Sequence, residues 1–149
     1  KAVMEGKVHM FGTDHAPHTQ VEKIQDYATA PGGMVGVETT VPMLVDWFAK
    51  GRFPLDLLVR MGSENPSKLF GFNKGRIAVG YDADFAAFDI HSPRRISADD
   101  LHSKAGHTAY EGMDAVFPDT VILRGSIQIQ DGEFCGEQSG VDYVEHAGD

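Results

Sequence analysis

At 149 residues, 42% of them apolar and nine of them Phe, the chain has the length and apolar mass for one ordinary domain or two small ones, which excludes a disordered polymer. Acidic residues outnumber basic ones 22 to 13, for a net charge of −9, with no basic cluster beyond Arg94-Arg95, so phosphate backbones are repelled and nucleic acid is a poor partner. The single cysteine, Cys135, leaves no internal disulfide framework and fits a reducing, cytoplasmic setting, and no run approaches the ~20 apolar residues of a membrane span.

The opening Lys1-Ala2-Val3-Met4-Glu5-Gly6 carries charge with no apolar run behind it, which does not read as a signal peptide. Val8-His9-Met10-Phe11 is a short apolar-rich run ending at Gly12-Thr13-Asp14, the pattern of a buried strand closing on a loop. The loop reaches about Gly36 through Pro31-Gly32-Gly33, and loops of that length are usually functional or mobile. From Thr39 the spacing turns helical: Val41, Leu44, Val45 and Phe48 form a stripe predicted to be core, with Thr39 as cap and Gly51 after the end. Pro54 opens a second helix through Leu55, Leu58 and Val59. Asn65-Pro66 opens a third, with Asn65 as its cap, stopping at Gly71.

Near Phe72-Asn73-Lys74-Gly75 the rhythm becomes strand-like. Residues 76–79 and 85–88 flank Gly80-Tyr81-Asp82-Ala83-Asp84, which predicts a tight hairpin. The stretch from Ala98 to Lys104 suits a helical turn or two. Residues 121–123 and 127–129 flank Arg124-Gly125-Ser126, and Asp131-Gly132 is a strong turn signal before Glu133-Phe134.

The chemistry is concentrated in Gly12-Thr13-Asp14-His15-Ala16-Pro17-His18, where a carboxylate and two imidazoles follow a predicted strand. Asp oxygen and His nitrogen both suit zinc, and strand ends of this kind carry active sites in parallel barrels. On spacing alone two readings stay open: a metal or catalytic role, or a polar loop whose Asp caps a turn.

Thr-Asp-His-Ala-Pro-His at 13–18 resembles the dihydroorotase signature at the end of the eighth barrel strand of the amidohydrolase superfamily. The resemblance continues through residues 30–39 (APGGMVGVET), 65–71 (NPSKLFG), Lys74-Gly75-Arg76-Ile77 and residues 80–84 (GYDAD). Ser103-Lys104 with Thr108-Ala109-Tyr110-Glu111-Gly112 is similar to the family's "SK…TPFEG" stretch, with Ala-Tyr in place of Pro-Phe, and the likeness fades after about Phe134. Hydantoinases, dihydropyrimidinases and allantoinases share the later motifs. The second histidine of the box, His18, is what favours dihydroorotase over them.

The resemblance implies an α/β fold: the C-terminal end of a (β/α)₈ barrel over residues 1–72 (last strand, substrate loop and helices), plus part of the accompanying small β-sandwich over 73–149. It implies that Asp14 is both a zinc ligand and the general base, taking a proton as the ring carbonyl of dihydroorotate is attacked and passing it to the departing amide nitrogen. His18 would hydrogen-bond the substrate at its carboxylate side, and Gly32 and Gly33 would bring backbone N–H groups against it. The family's other zinc ligands, an early His-x-His, a carboxylated lysine and two later histidines, belong to strands placed before Lys1. A whole barrel needs ~250 residues, so the expectation is a C-terminal portion that is inactive alone.

Among the remaining polar residues, His15 is expected to be structural and His9 packed in its strand. His91, His102, His107 and His146 are expected at the surface without partners, and Glu38 is expected to favour a helix start. Cys135 has no neighbouring base and is not expected to be a nucleophile. The resemblance further implies a cytoplasmic homo-oligomer acting on dihydroorotate and carbamoyl-aspartate. The alternatives are a hydantoinase- or dihydropyrimidinase-like hydrolase, and a non-catalytic structural partner of aspartate carbamoyltransferase.

Overall fold

The computed structural model describes residues 1–138 and 140–141, so the expectation for His146 falls outside the described residues. The chain is α/β in composition, with the helices in the first half and the strands in the second. After one helical turn, α1 (Gln20–Lys23), comes α2 (Thr40–Ala49), which ends where Gly51 at φ +68° donates its N–H to the Phe48 carbonyl at 2.8 Å. Pro42 lies in the first turn of α2, where its missing N–H costs nothing, and its carbonyl accepts from Val116 N–H at 3.0 Å. The buried face is Pro42, Val45 and Asp46. The predicted stripe is therefore rotated: Val45 is core, Leu44 and Phe48 are half-buried, and Val41 is exposed. Thr39 precedes the helix but does not cap it by its side chain. Its backbone is already helical, and its buried hydroxyl donates back to the Gly36 carbonyl at 3.3 Å.

The predicted second and third helices are one continuous rod. α3 (Leu55–Val59) runs through a π-helical turn (Arg60–Glu64) into α4 (Asn65–Phe70). A proline inside a helix clashes with the carbonyl four residues back, and the wider turn ahead of Pro66, where Asn65 N–H reaches the Arg60 carbonyl, accommodates it. Asn65 is helical and does not cap; its Nδ2 donates to the His9 carbonyl at 2.6 Å. α4 stops at Gly71 with φ +71°, as its sequence requires.

The core of this half is Phe53, Leu57 and Met61, backed by Val3, Phe11, Leu44 and Leu58. The Phe11 and Phe53 rings lie 6.1 Å apart. Burial of Met61, 1% exposed, contributes about 1.5–3 kcal/mol. Residues 8–11 form no strand, because no described segment runs beside them to complete a ladder. They are held instead by Phe11 N–H on the Met61 carbonyl at 3.2 Å and by Asn65 on His9. The His9 ring is exposed rather than packed.

In the second half β1 (Phe85–Ala87), β4 (Thr120–Leu123), β5 (Ser126–Gln130) and β6 (Glu133–Phe134) form an antiparallel sheet in that order. β2 (Arg94–Arg95) and β3 (Asp114–Ala115) pair separately and lead into the buried Ile96 and Val116. β4–β5 turns on Arg124-Gly125 at φ +47° and +81°, and β5–β6 on Asp131-Gly132 at +53° and +80°. Both are two-residue turns with positive φ at both centres, as the sequence signals, and their twist matches that of the strands. The hairpin predicted around residues 80–84 does not form. Asp84 turns toward Lys74 and accepts from Arg124 N–H at 2.7 Å, and Gly125 N–H donates to the Ala83 carbonyl, so this loop docks on the β4–β5 turn. β1 pairs with β4 instead, Phe85 opposite Ile122, which leaves Ile77 86% exposed. Of the one or two helical turns expected over Ala98 to Lys104, only a single turn forms at residues 98–100, capped by the Ser97 hydroxyl accepting from Asp99 N–H.

Candidate functional site

The loop holding Asp14, His15 and His18 is strapped to the loop of residues 31–37. Ala16 N–H donates to the Met34 carbonyl at 3.1 Å, and His15 and Met34 form an isolated parallel bridge. His15 Nδ1 accepts from Gly36 N–H at 3.1 Å and Val37 N–H at 3.2 Å. With two N–H donors aimed at it, Nδ1 carries the lone pair and the ring proton sits on Nε2. His15 thus fastens the loop to the entry of α2. Lys23 Nζ, from α1, donates to the Pro31 and Gly33 carbonyls at 2.8 and 3.0 Å.

The two glycines of the second loop differ. Gly33 has φ +107°, and a Cβ there would lie 2.5 Å from Ala16 Cβ, so only glycine allows this approach. A Cβ on Gly32 would meet nothing within 4 Å.

Asp14 sits at φ +47°, in the left-handed region that aspartate tolerates better than most residues, and is exposed. Its carboxylate makes no hydrogen bond or ion pair among the described residues, so its acceptor capacity is uncommitted. His18 is half-buried, with Nδ1 4.0 Å from Glu22 Oε2. Immediately after it, Thr19 and Glu22 form a reciprocal capping box on α1: Thr19 N–H donates to Glu22 Oε2 at 2.7 Å, and Glu22 N–H donates to the Thr19 hydroxyl oxygen at 3.3 Å. The Thr19 hydroxyl, then its N–H, hold the Glu22 carboxyl below the usual range.

Residues 102–110 fold across this loop. His107 Nε2 donates to the His18 carbonyl at 2.9 Å, and Gln20 Nε2 donates to the Gly106 carbonyl at 2.8 Å. Glu38 accepts from His102 N–H at 2.9 Å and lies 2.7 Å from His102 Nδ1. Tyr110 hydroxyl reaches Met34 Sδ at 3.2 Å. His102 lies at the surface as expected but has Glu38 as a partner, His107 is half-buried and bonded to His18, and Glu38 does more than favour a helix start. Partners 64 to 89 residues apart leave no periodic trace. His91 is exposed, as expected.

Among the described residues no group of three or more His, Cys, Asp or Glu converges to hold a metal ion. Asp14, exposed and without a partner, fits the role of one oxygen donor. Two grooves lie elsewhere: one passes between Leu58, Ile77 and Phe85, the other between Val37, Phe88 and Phe134, and neither is lined by Asp14 or His18.

The sequence matches the model of the amidohydrolase family over residues 1–127. It is 43% identical to a dihydroorotase of Thermoplasma acidophilum over 138 residues, 93% of this chain and 33% of that protein. It is 44% identical to a dihydroorotase of Methanosarcina acetivorans over 126 residues, 83% of this chain and 27% of that protein. Among solved structures, a D-hydantoinase (dihydropyrimidinase) from Thermus sp. superposes with a TM-score of 0.86 at 30% identity, covering 92% of this chain and 31% of the other. An L-hydantoinase from Arthrobacter aurescens gives 0.84 at 31% identity, covering 91% and 32%. The chain thus spans about a third of the length of the curated relatives it matches.

Proposed function

The chain belongs to the amidohydrolase family, and from that premise we propose that it is the C-terminal portion of a dihydroorotase, a hydrolase that opens the cyclic amide of dihydroorotate reversibly to carbamoyl-aspartate in pyrimidine synthesis. The similarity to archaeal dihydroorotases, at higher identity than to the hydantoinases, carries this reading. In it, residues 1–72 supply the last strand (residues 8–11, which would pair only beside the rest of the sheet), substrate loop and helices of a (β/α)₈ barrel, and residues 73–149 supply part of a small β-sandwich. The protein works in the cytoplasm as a homo-oligomer.

Asp14 would contribute one oxygen to a zinc ion, the family's remaining ligands being expected outside these residues. Zinc, when bound, lowers the pKa of water to about 7. The uncommitted Asp14 carboxylate takes a proton from the water that attacks the ring carbonyl and delivers it to the amide nitrogen as the C–N bond breaks. His18 donates to the substrate carboxylate, and the backbone at Gly32 and Gly33 closes on the ring. Since a single donor does not hold zinc usefully, these residues alone are inactive.

A second reading, hydantoinase-like hydrolysis, is supported by the superposition on hydantoinases. A scaffold that only binds aspartate carbamoyltransferase has no use for an uncommitted carboxylate at Asp14. The test is a substrate panel on the natural protein and its Asp14→Asn variant. Dihydroorotate should be the preferred substrate, and Asp14→Asn should lower kcat by about a thousandfold. Preference for hydantoin or dihydrouracil overturns the dihydroorotase assignment, and activity retained in Asp14→Asn overturns the role of Asp14 as base.

A further inference from the structure

We propose that His107 is a positioning residue for His18, setting the imidazole that meets the substrate carboxylate; this rests on the reading of His18 given above. The His18 backbone is fixed on both sides. Upstream, Ala16 N–H is bonded to the Met34 carbonyl, and downstream Thr19 and Glu22 lock the start of α1 by their capping box. Between these anchors the His18 carbonyl accepts from a side chain 89 residues away, His107 Nε2 at 2.9 Å. A carbonyl only accepts, so Nε2 carries the proton and donates.

The contact is part of a reciprocal strap. Gln20 Nε2 returns a bond to the carbonyl of Gly106, the neighbour of His107, at 2.8 Å. Residues 18–20 and 106–107 are thus tied in both directions. Rotation of the His18 peptide would swing its side chain and break the His107 bond, so that bond resists the rotation. Among the described residues no hydrogen bond or ion pair links His107 to Asp14, so His107 acts on binding rather than on proton transfer.

The experiment uses the full-length natural protein, with dihydroorotate as probe. His107→Leu removes the donor, His107→Asn draws it back along the side chain, and His107→Gln keeps an N–H near the position of Nε2. Expected are a KM raised about five- to tenfold for His107→Leu and His107→Asn, kcat within about twofold of wild type, and recovery to within about twofold in His107→Gln. In a His18→Ala background, His107→Leu should add no further increase. His107→Asn carries the test where His107→Leu does not fold. An unchanged KM in the donor-deficient variants, or effects that multiply with His18→Ala, overturns the assignment of His107 while leaving the function intact. An unchanged KM in His18→Ala overturns the reading of His18 itself, and the proposal with it.

Discussion

Replacing Gly33 with Ala asks whether the contact between the two site loops is required. The new Cβ would stand 2.5 Å from Ala16 Cβ, where carbon atoms rest at about 3.5 Å or more, so the loops must part by about 1 Å. The backbone at φ +107° is also one that side chains rarely adopt. Strain and overpacking each cost about 1–3 kcal/mol, roughly 2–6 kcal/mol together if the loops stay in place. The chain escapes that cost by moving, and Ala16 lies two residues from both Asp14 and His18. A displacement of about 1 Å at reacting groups can cost about a hundredfold in rate, so under the proposed roles of Asp14 and His18 Gly33→Ala should lower kcat/KM for dihydroorotate by about that factor. Gly32→Ala is the control: its Cβ meets nothing within 4 Å, and stability should stay within about 0.5 kcal/mol. Steady-state kinetics and thermal unfolding of both variants in the full-length protein decide the matter. Equal thermal stability of the two, or wild-type kinetics in Gly33→Ala, would refute the claim that close apposition at Gly33 sets the site.

Three further outcomes follow from contacts at the site and elsewhere in the fold. His15→Leu leaves the N–H groups of Gly36 and Val37 without their acceptor and should destabilise by about 1–3 kcal/mol in denaturant titration. His15→Asn should recover part of this, because its amide oxygen falls near the place of Nδ1. Lys50 bridges α2 to β3 through Asp46 at 2.8 Å and Asp114 at 2.9 Å. Its pKa is raised by bonds to Asp46 and then Asp114, and that of Asp114 is lowered first by Lys50. The Asp114 contribution is present above the ordinary aspartate pKa of about 3.9 and lost as pH falls through its lowered folded value. The Lys50 contribution is present below about 10.4 and lost as pH rises through its raised folded value. The melting deficit of Lys50→Met should therefore be widest between those limits and narrow beyond either; a deficit independent of pH refutes the bridge. Gly75→Ala, at φ +85° with a Cβ 2.7 Å from the Ser63 carbonyl oxygen and Ser67 Oγ, should cost about 2 kcal/mol or more in thermal unfolding.

Much of the local structure is legible in the residues themselves. Gly51 and Gly71 end their helices, and Arg124-Gly125 and Asp131-Gly132 turn their hairpins, because each depends on positive φ at a named residue. The Asp14-His15-Ala16-Pro17-His18 box offers donors suited to zinc by residue type, but on spacing alone it leaves a turn-capping loop open as well, and the resemblance carries the chemical reading. What the sequence does not carry is the choice of partner. Residues 76–79 look like a strand beside β1, yet the bonds of Asp84 to Lys74 and Arg124 send that loop elsewhere, and β1 pairs 30-odd residues downstream. Asn65 has the chemistry of a cap, yet His9 claims its amide while the π turn carries the helix past Pro66. His107 has no local signal at all; its meaning lies in a carbonyl 89 residues away. Helix ends and tight turns follow from the torsional preferences of adjacent residues, which sequence records directly. Strand pairing, loop straps and the seating of His18 follow from bonds between distant segments, and only packing in three dimensions decides which donor reaches which acceptor.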